Sequence, residues 1–253
     1  MNKLANILAF GSIMLCAPLM AQEIVTITPS SPPSGQAQGP APFTYRGATG
    51  ARTQQVYSSS FFTGPQLLTS IAFRSTPGFR NGADYGNVIF NLSTTSFGDE
   101  TGTPLSSVFA NNIGSDETTV FSGALSFAAP ATNDFEYVVN FSTPFLYDPA
   151  QGNLLLDSLI PVGASVGGAG FFLASYDVAN QLNDGVYSVN AIFDGAATSG
   201  TANTAGTISR FVGTAVGGAV PEPSAWAMMI VGFGVVGGVK RRQRRSPLAL
   251  ARA

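Results

Sequence analysis

Any chemistry in this chain has to begin with its carboxylates, because it contains no histidine and a single cysteine, Cys16. Without an imidazole, Ser-His-Asp and Cys-His nucleophilic arrangements and histidine-based zinc sites are excluded. Paired carboxylates, of the kind that cleave glycosidic bonds, remain. Two adjacent pairs are visible, Asp99-Glu100 and Asp116-Glu117. Each sits in a polar loop, and neighbours on an extended chain point to opposite faces. Both pairs therefore read as solvated turns. No catalytic residue is assigned, and the chain is expected not to be an enzyme.

Calcium takes oxygen ligands from loops. Asn81, Asp84 and Asn87, or Asp177 with Asn180, Asn183 and Asp184, could supply them. Neither group follows a calcium-loop spacing, and both read as Asx turns, so no metal and no cofactor is expected. Aromatic rings could stack on sugars, but the one tryptophan, Trp226, lies near the C-terminus. Tyr45, Tyr57, Tyr85, Tyr147, Tyr176 and Tyr187 fall in or beside apolar runs and read as core or strand pairs. Phe61-Phe62 and Phe171-Phe172 read as core too, since one member of each must face inward.

These residues need a scaffold, and the pattern for one is β throughout. Short or alternating apolar runs recur at 54–61, 67–74, 88–92, 119–127, 135–141, 154–160, 170–176, 186–193 and 208–216. Phe, Tyr, Val and Thr fill them, and Gly, Pro, Asn and Asp break them. Residues 143–153 read as a turn-rich connection, and 196–206 as a long exposed loop. No stretch of the body offers a long amphipathic helix. The expected fold is all-β, a single antiparallel β-sandwich of jelly-roll type, flanked by an N-terminal signal helix and a C-terminal transmembrane helix.

Charge separates the body from the ends. Residues 22–219 hold five basic residues (Arg46, Arg52, Arg74, Arg80 and Arg210) against thirteen acidic ones, a net charge of −8. An acidic surface argues against nucleic acid, whose phosphates reward positive charge. The body has no cysteine, so its stability must come from a hydrophobic core, and a body of this length can bury one.

The two ends read as addresses. Lys3 precedes an apolar stretch over 4–19, then Met20-Ala21-Gln22-Glu23. A basic start, an apolar middle and a small residue at the cut form a secretory signal peptide, with cleavage expected after Ala21. Leu15, before Cys16, is too large for a lipoprotein site, so Cys16 leaves with the signal. At the other end, Pro221-Glu222-Pro223-Ser224-Ala225-Trp226 opens an uncharged run over 225–239, closed by Lys240-Arg241-Arg242-Gln243-Arg244-Arg245. As a helix this run is roughly 22 Å long, short of the ~30 Å hydrocarbon core. Snorkelling by Lys240 and an interfacial Trp226 extend its reach. Gly232, Gly234, Gly237 and Gly238 weaken it. The expectation is a marginal anchor whose basic cluster of Lys240, Arg241, Arg242, Arg244 and Arg245 stays cytoplasmic.

Val220-Pro221-Glu222-Pro223-Ser224-Ala225-Trp226-Ala227-Met228-Met229, then Gly232-Phe233-Gly234 and the arginine cluster, resembles the PEP-CTERM sorting domain in its Trp-Ala variant. The resemblance covers about 30 residues, with Pro221, Glu222, Pro223 and Trp226 as the motif; the eight residues 246–253 beyond the arginines depart from it. It implies a Gram-negative bacterium that makes extracellular polysaccharide, and processing near Pro221-Glu222-Pro223 by an exosortase, a membrane cysteine protease. It also implies a body like the uncharacterised secreted proteins of that group. The expected organisation is a signal peptide at 1–21, a Pro/Ser/Gly-rich lead-in at 22–42, a sandwich at 43–216, a spacer at 217–220, the sorting signal at 221–245 and a tail at 246–253. The expected function is that of an exported, non-catalytic surface or matrix protein. Its expected partners are the secretion machinery, signal peptidase, the exosortase and, transiently, the inner membrane. A carbohydrate-binding module of the exopolysaccharide matrix is the alternative, with a polysaccharide-modifying enzyme behind it.

Overall fold

The computed structural model describes residues 23–28, 49–75, 82–98, 103–164, 184–204, 206–216 and 233. Ten strands account for most of these: β1 Glu23–Thr28, β2 Ala51–Tyr57, β3 Gln66–Phe73, β4 Ala83–Thr95, β5 Thr118–Phe127, β6 Tyr137–Tyr147, β7 Asn153–Ile160, β8 Val186–Ala191, β9 Thr201–Asn203 and β10 Ser209–Ala215. Two single 3-10 turns, Ser59–Phe61 and Phe109–Asn112, complete them. The described body is all-β, as the apolar pattern leads one to expect. Among the described residues no helix is long and apolar enough to cross a membrane.

The strands form two antiparallel sheets, ordered β1-β10-β3-β6 and β5-β4-β7-β2-β8-β9. Set β8 and β9 aside and the other eight nest: β1 lies beside β10, β3 beside β6, β2 beside β7 and β4 beside β5. The chain therefore crosses repeatedly from one sheet to the other, so each sheet is completed by residues far apart in sequence.

One core lies between the sheets. Leu68, Ile71, Phe73, Tyr137, Val139, Phe145, Tyr147 and Phe211 from the four-stranded sheet meet Tyr57, Val88, Phe90, Leu92, Leu154, Leu156 and Val186 from the six-stranded one. Aromatic pairs lock the contact edge to face, as such rings prefer. Tyr57 meets Phe211 at 5.0 Å and 87°, and Phe62 meets Tyr147 at 4.8 Å and 74°. Phe62 is buried while Phe61 only packs against the cluster, so one member of that pair does turn inward. Strand β6 shows the period of two in its burial: Tyr137 and Val139 are buried and Val138 is exposed.

A second core lies on the outer face of the six-stranded sheet. Val56, Leu155 and Val189 project there and are roofed by Leu105 and Phe109 from the β4–β5 connection. This explains why β2 and β7 are buried along nearly their whole length. Each is covered on both faces.

Three expectations need correction. The lead-in assigned to 22–42 begins with strand β1, which pairs along its whole length with β10 (Glu23 with Thr214 through Thr28 with Ser209). The sandwich thus starts before residue 43. The connection assigned to 143–153 is strand as far as Tyr147. Pro144 is tolerated because β6 is an edge strand and the ladder to β3 shifts register between Leu68 and Ser70, where no proline N–H is needed. The true turn is tighter: Gln151 N–H donates to the Asp148 carbonyl at 3.0 Å, Ala150 N–H to Asp148 Oδ1 at 3.0 Å. The loop assigned to 196–206 contains β9, an edge strand pairing with β8. The run at 170–176, with Phe171 and Phe172, lies outside the described residues, as do the expected terminal helices.

Candidate functional site

Of the acidic residues singled out by sequence, Asp116, Asp84 and Asp184 use their carboxylates as local caps. Asp116 Oδ1 accepts the Thr94 N–H at 2.8 Å, fixing the end of β4. Glu117 N–H donates to the Gly114 carbonyl at 3.3 Å. Asp84 Oδ1 accepts the Gly86 N–H at 3.0 Å and Asp184 Oδ1 the Val186 N–H at 2.9 Å, both two residues on, the geometry of an Asx turn. Asn87 lies in β4. Asp99, Glu100, Asn81, Asp177, Asn180 and Asn183 lie outside the described residues. Among those described, no three acidic, cysteine or histidine side chains converge.

The most developed polar cluster is one the sequence does not announce. Asp157 on β7 stands opposite Gln54 on β2, and it is 2% exposed. Arg52, two residues along the same face of β2, grips it in a bidentate pair: Nε to Oδ1 at 3.1 Å and Nη2 to Oδ2 at 2.6 Å. Gln54 Nε2 donates to Asp157 Oδ2 at 2.9 Å and to the Phe109 carbonyl at 3.1 Å. Asn112 Nδ2 donates to Gln54 Oε1 and to the Ser106 carbonyl, each at 2.8 Å, and Asn112 Oδ1 accepts the Ser106 N–H at 2.7 Å. The Phe109 ring lies 4.8 Å from the Arg52 guanidinium, a cation–π contact.

The hydrogen bonds that Arg52 donates to Asp157, helped by the charge of that carboxylate, hold the guanidinium above its ordinary range. Both oxygens of Asp157 accept hydrogen bonds, three in all, from Arg52 and Gln54. What the cluster does is fasten the roof, residues 105–112, onto the outer face of the sheet.

On the inner face, Gln55 Nε2 donates to the Thr207 carbonyl and its Oε1 accepts the Thr207 N–H, both at 2.8 Å. The Tyr57 hydroxyl meets Ser209 Oγ at 2.8 Å. Both ties run from β2 to the approach of β10, so they stitch one sheet to the other. Burial pushes the Tyr57, Tyr85 and Tyr147 phenols up, and Tyr137 up to about 12. Tyr57, Tyr85 and Tyr147 are core residues, as read from their runs. Tyr187 packs half-buried against the outer core. Tyr45 and Tyr176 lie outside the described residues.

Within the body, Phe193, at the end of the apolar run 186–193, is 58% exposed. It borders an open concavity of about 490 Å³ beside β8 and β9, lined also by Asn190, Ala191, Asp194, Ser199 and Thr201.

The residues of the sorting and processing signals (Ala21, Pro221, Glu222, Pro223, Trp226, Lys240, Arg241, Arg242, Arg244 and Arg245) lie outside the described residues. Their assignment rests on sequence, and there the comparison is positive: residues 219–245 match the PEP-CTERM protein-sorting motif. The match starts two residues before Pro221, ends at Arg245 and does not reach the body. No curated protein and no solved structure matches the chain. The chain therefore carries a PEP-CTERM sorting motif, which marks it for export and for processing by an exosortase, with transient membrane anchoring before release.

Proposed function

We propose that this chain is an exported surface or matrix protein whose tail delivers a non-catalytic β-sandwich, of jelly-roll type with β8 and β9 as an added hairpin, to the outside of the cell. The signal peptide at 1–21 carries the body across the membrane. The uncharged run at 225–239 and the basic cluster at 240–245 stop transfer. The exosortase then acts near Pro221-Glu222-Pro223 and releases the body. The observation that carries this reading is the match at 219–245. The body's net charge of −8 over 22–219 supports it, since such a surface keeps a secreted domain soluble and away from nucleic acid.

Fractionation of cells with and without the exosortase tests the reading. The protein should reach the surface or medium only in the competent strain and stay with the membrane in the deficient one. Replacing Pro221, Glu222 and Pro223 together by alanine should reproduce the deficient pattern in the competent strain. Equal release from both strains would overturn it.

A further inference from the structure

A single exposed apolar residue on a protein surface is ordinary. Phe193 is not held in an ordinary way. It is the one non-glycine residue among those described with a positive φ, +148°. A bulky side chain in that region is a genuine outlier and persists only where its surroundings enforce it.

The surroundings here do enforce it. Gly195 N–H donates to the Thr49 carbonyl at 2.8 Å, and Gly200 N–H to the Ser107 carbonyl at 2.8 Å. Phe109 N–H donates to the Thr198 carbonyl at 3.0 Å, and Val108 bridges Ser199. Asp194 Oδ1 accepts the Ala196 N–H at 2.9 Å. The segment carrying Phe193 is thus tied at both ends to the rigid sheet and roof, and the ring is held toward water at a conformational cost. Backbone strain of this kind gathers where a side chain must be presented to a ligand.

The concavity beside the ring indicates the ligand. Its volume of about 490 Å³ falls in the usual range for a small-molecule site. Its lining is mixed: apolar Ala191, Ile192 and Ala197 together with Asn190, Asp194, Ser199 and Thr201. One aromatic platform in a concavity shared with hydroxyl, amide and carboxylate groups complements a molecule with one C–H face and several hydroxyls. The carboxylate and the acidic body disfavour an anionic partner.

We propose that this concavity binds a neutral saccharide, a sugar ring lying with its C–H face on Phe193 and its hydroxyls hydrogen-bonded by Asp194, Ser199 and Thr201. The ring supplies the apolar and C–H contact. Asp194 accepts from hydroxyls, and Ser199 and Thr201 donate or accept as the sugar requires. The site lies in the body and is independent of the sorting tail, so its failure and the failure of the export reading would be separate results.

Affinity electrophoresis of the full chain through gels containing neutral glucan, mannan or galactan, in a non-glycosidic detergent, tests the proposal. Calorimetry with the matching hexasaccharide gives the constant. Wild type should be retarded by at least one of these polysaccharides. Phe193→Gly removes the ring while suiting the backbone, so it should lose tenfold or more in affinity with a melting temperature unchanged or higher. Phe193→Trp, read by its melting temperature and its retardation, should keep binding if it folds. An unretarded wild type would overturn the proposal, as would Phe193→Gly binding as tightly as wild type. So would loss of self-association in Phe193→Gly without any saccharide binding by wild type, which would make the surface a contact between copies of the chain.

Discussion

At the scale of the residue, the body is organised by a few buried polar groups that find partners across long separations. Asp157 and Arg52 lie 105 positions apart, and nothing in the local pattern of either marks them. Their meeting follows from the β2–β7 register, which sequence alone does not supply. Asp157→Ala should cost about 2–3 kcal/mol, because it leaves Arg52 and Gln54 unpaired in a largely buried place, the loss tempered by the partial exposure of Arg52. Urea unfolding monitored by circular dichroism measures it.

The buried phenols set a second expectation. Their folded pKa values are raised above the unfolded value of about 10, so the stability they contribute is complete below pH 10. It is lost as pH rises through the folded values, about 12 for Tyr137. Thermal melts should therefore be flat on the neutral side of pH 10 and fall steeply between about pH 10 and 12. A fall already complete by pH 9 would contradict the core positions of these tyrosines.

At the scale of the element, alternation was an adequate guide to most strands, since β-branched and aromatic residues at a period of two announce a half-buried strand. It fell short where a second physical rule intervened. Strand β1, Glu-Ile-Val-Thr-Ile-Thr, lies between the expected cut site and a Pro-rich stretch, so its sequence reads as part of the lead-in. Pro144 masked the second half of β6, because proline reads as a turn unless the strand is known to be an edge. Leu105 and Phe109 in the roof sit in a polar loop, and only the folded sheet offers them Val56, Leu155 and Val189 to cover. Phe193 was hidden in the same way, since its exposure depends on a loop tied to distant segments. The Asx turns at Asp84 and Asp184 were legible because that chemistry is local.

Packing at the β2 start gives a sharp test at this scale. Gly50 has φ +76°, and an added Cβ would collide with the Ile160 carbonyl and the Gly195 backbone. Gly50→Ala should destabilise by about 1–3 kcal/mol. Gly64, with open space around it, provides the contrast: Gly64→Ala should be neutral or gain up to about 1 kcal/mol. Denaturant melts of the two variants side by side compare them directly.

At the scale of the whole molecule, the chain divides its work between parts that can be read by different means. The compact unit is Gln22–Gly218, all-β among its described residues and closed by a core that uses no disulfide. The address is the stretch 219–245, legible from sequence because its physics is linear: a polar motif, an uncharged run and a basic stop, in order. In the proposed function the address is removed once it has been used. The intact mass and terminal peptides of the protein recovered from the cell surface or medium test that claim most directly. The expected chain begins at Gln22, ends within or close to Pro221-Glu222-Pro223 and has lost Lys240, Arg241, Arg242, Arg244 and Arg245. An extracellular chain that still carries its arginine-rich C-terminus would contradict it.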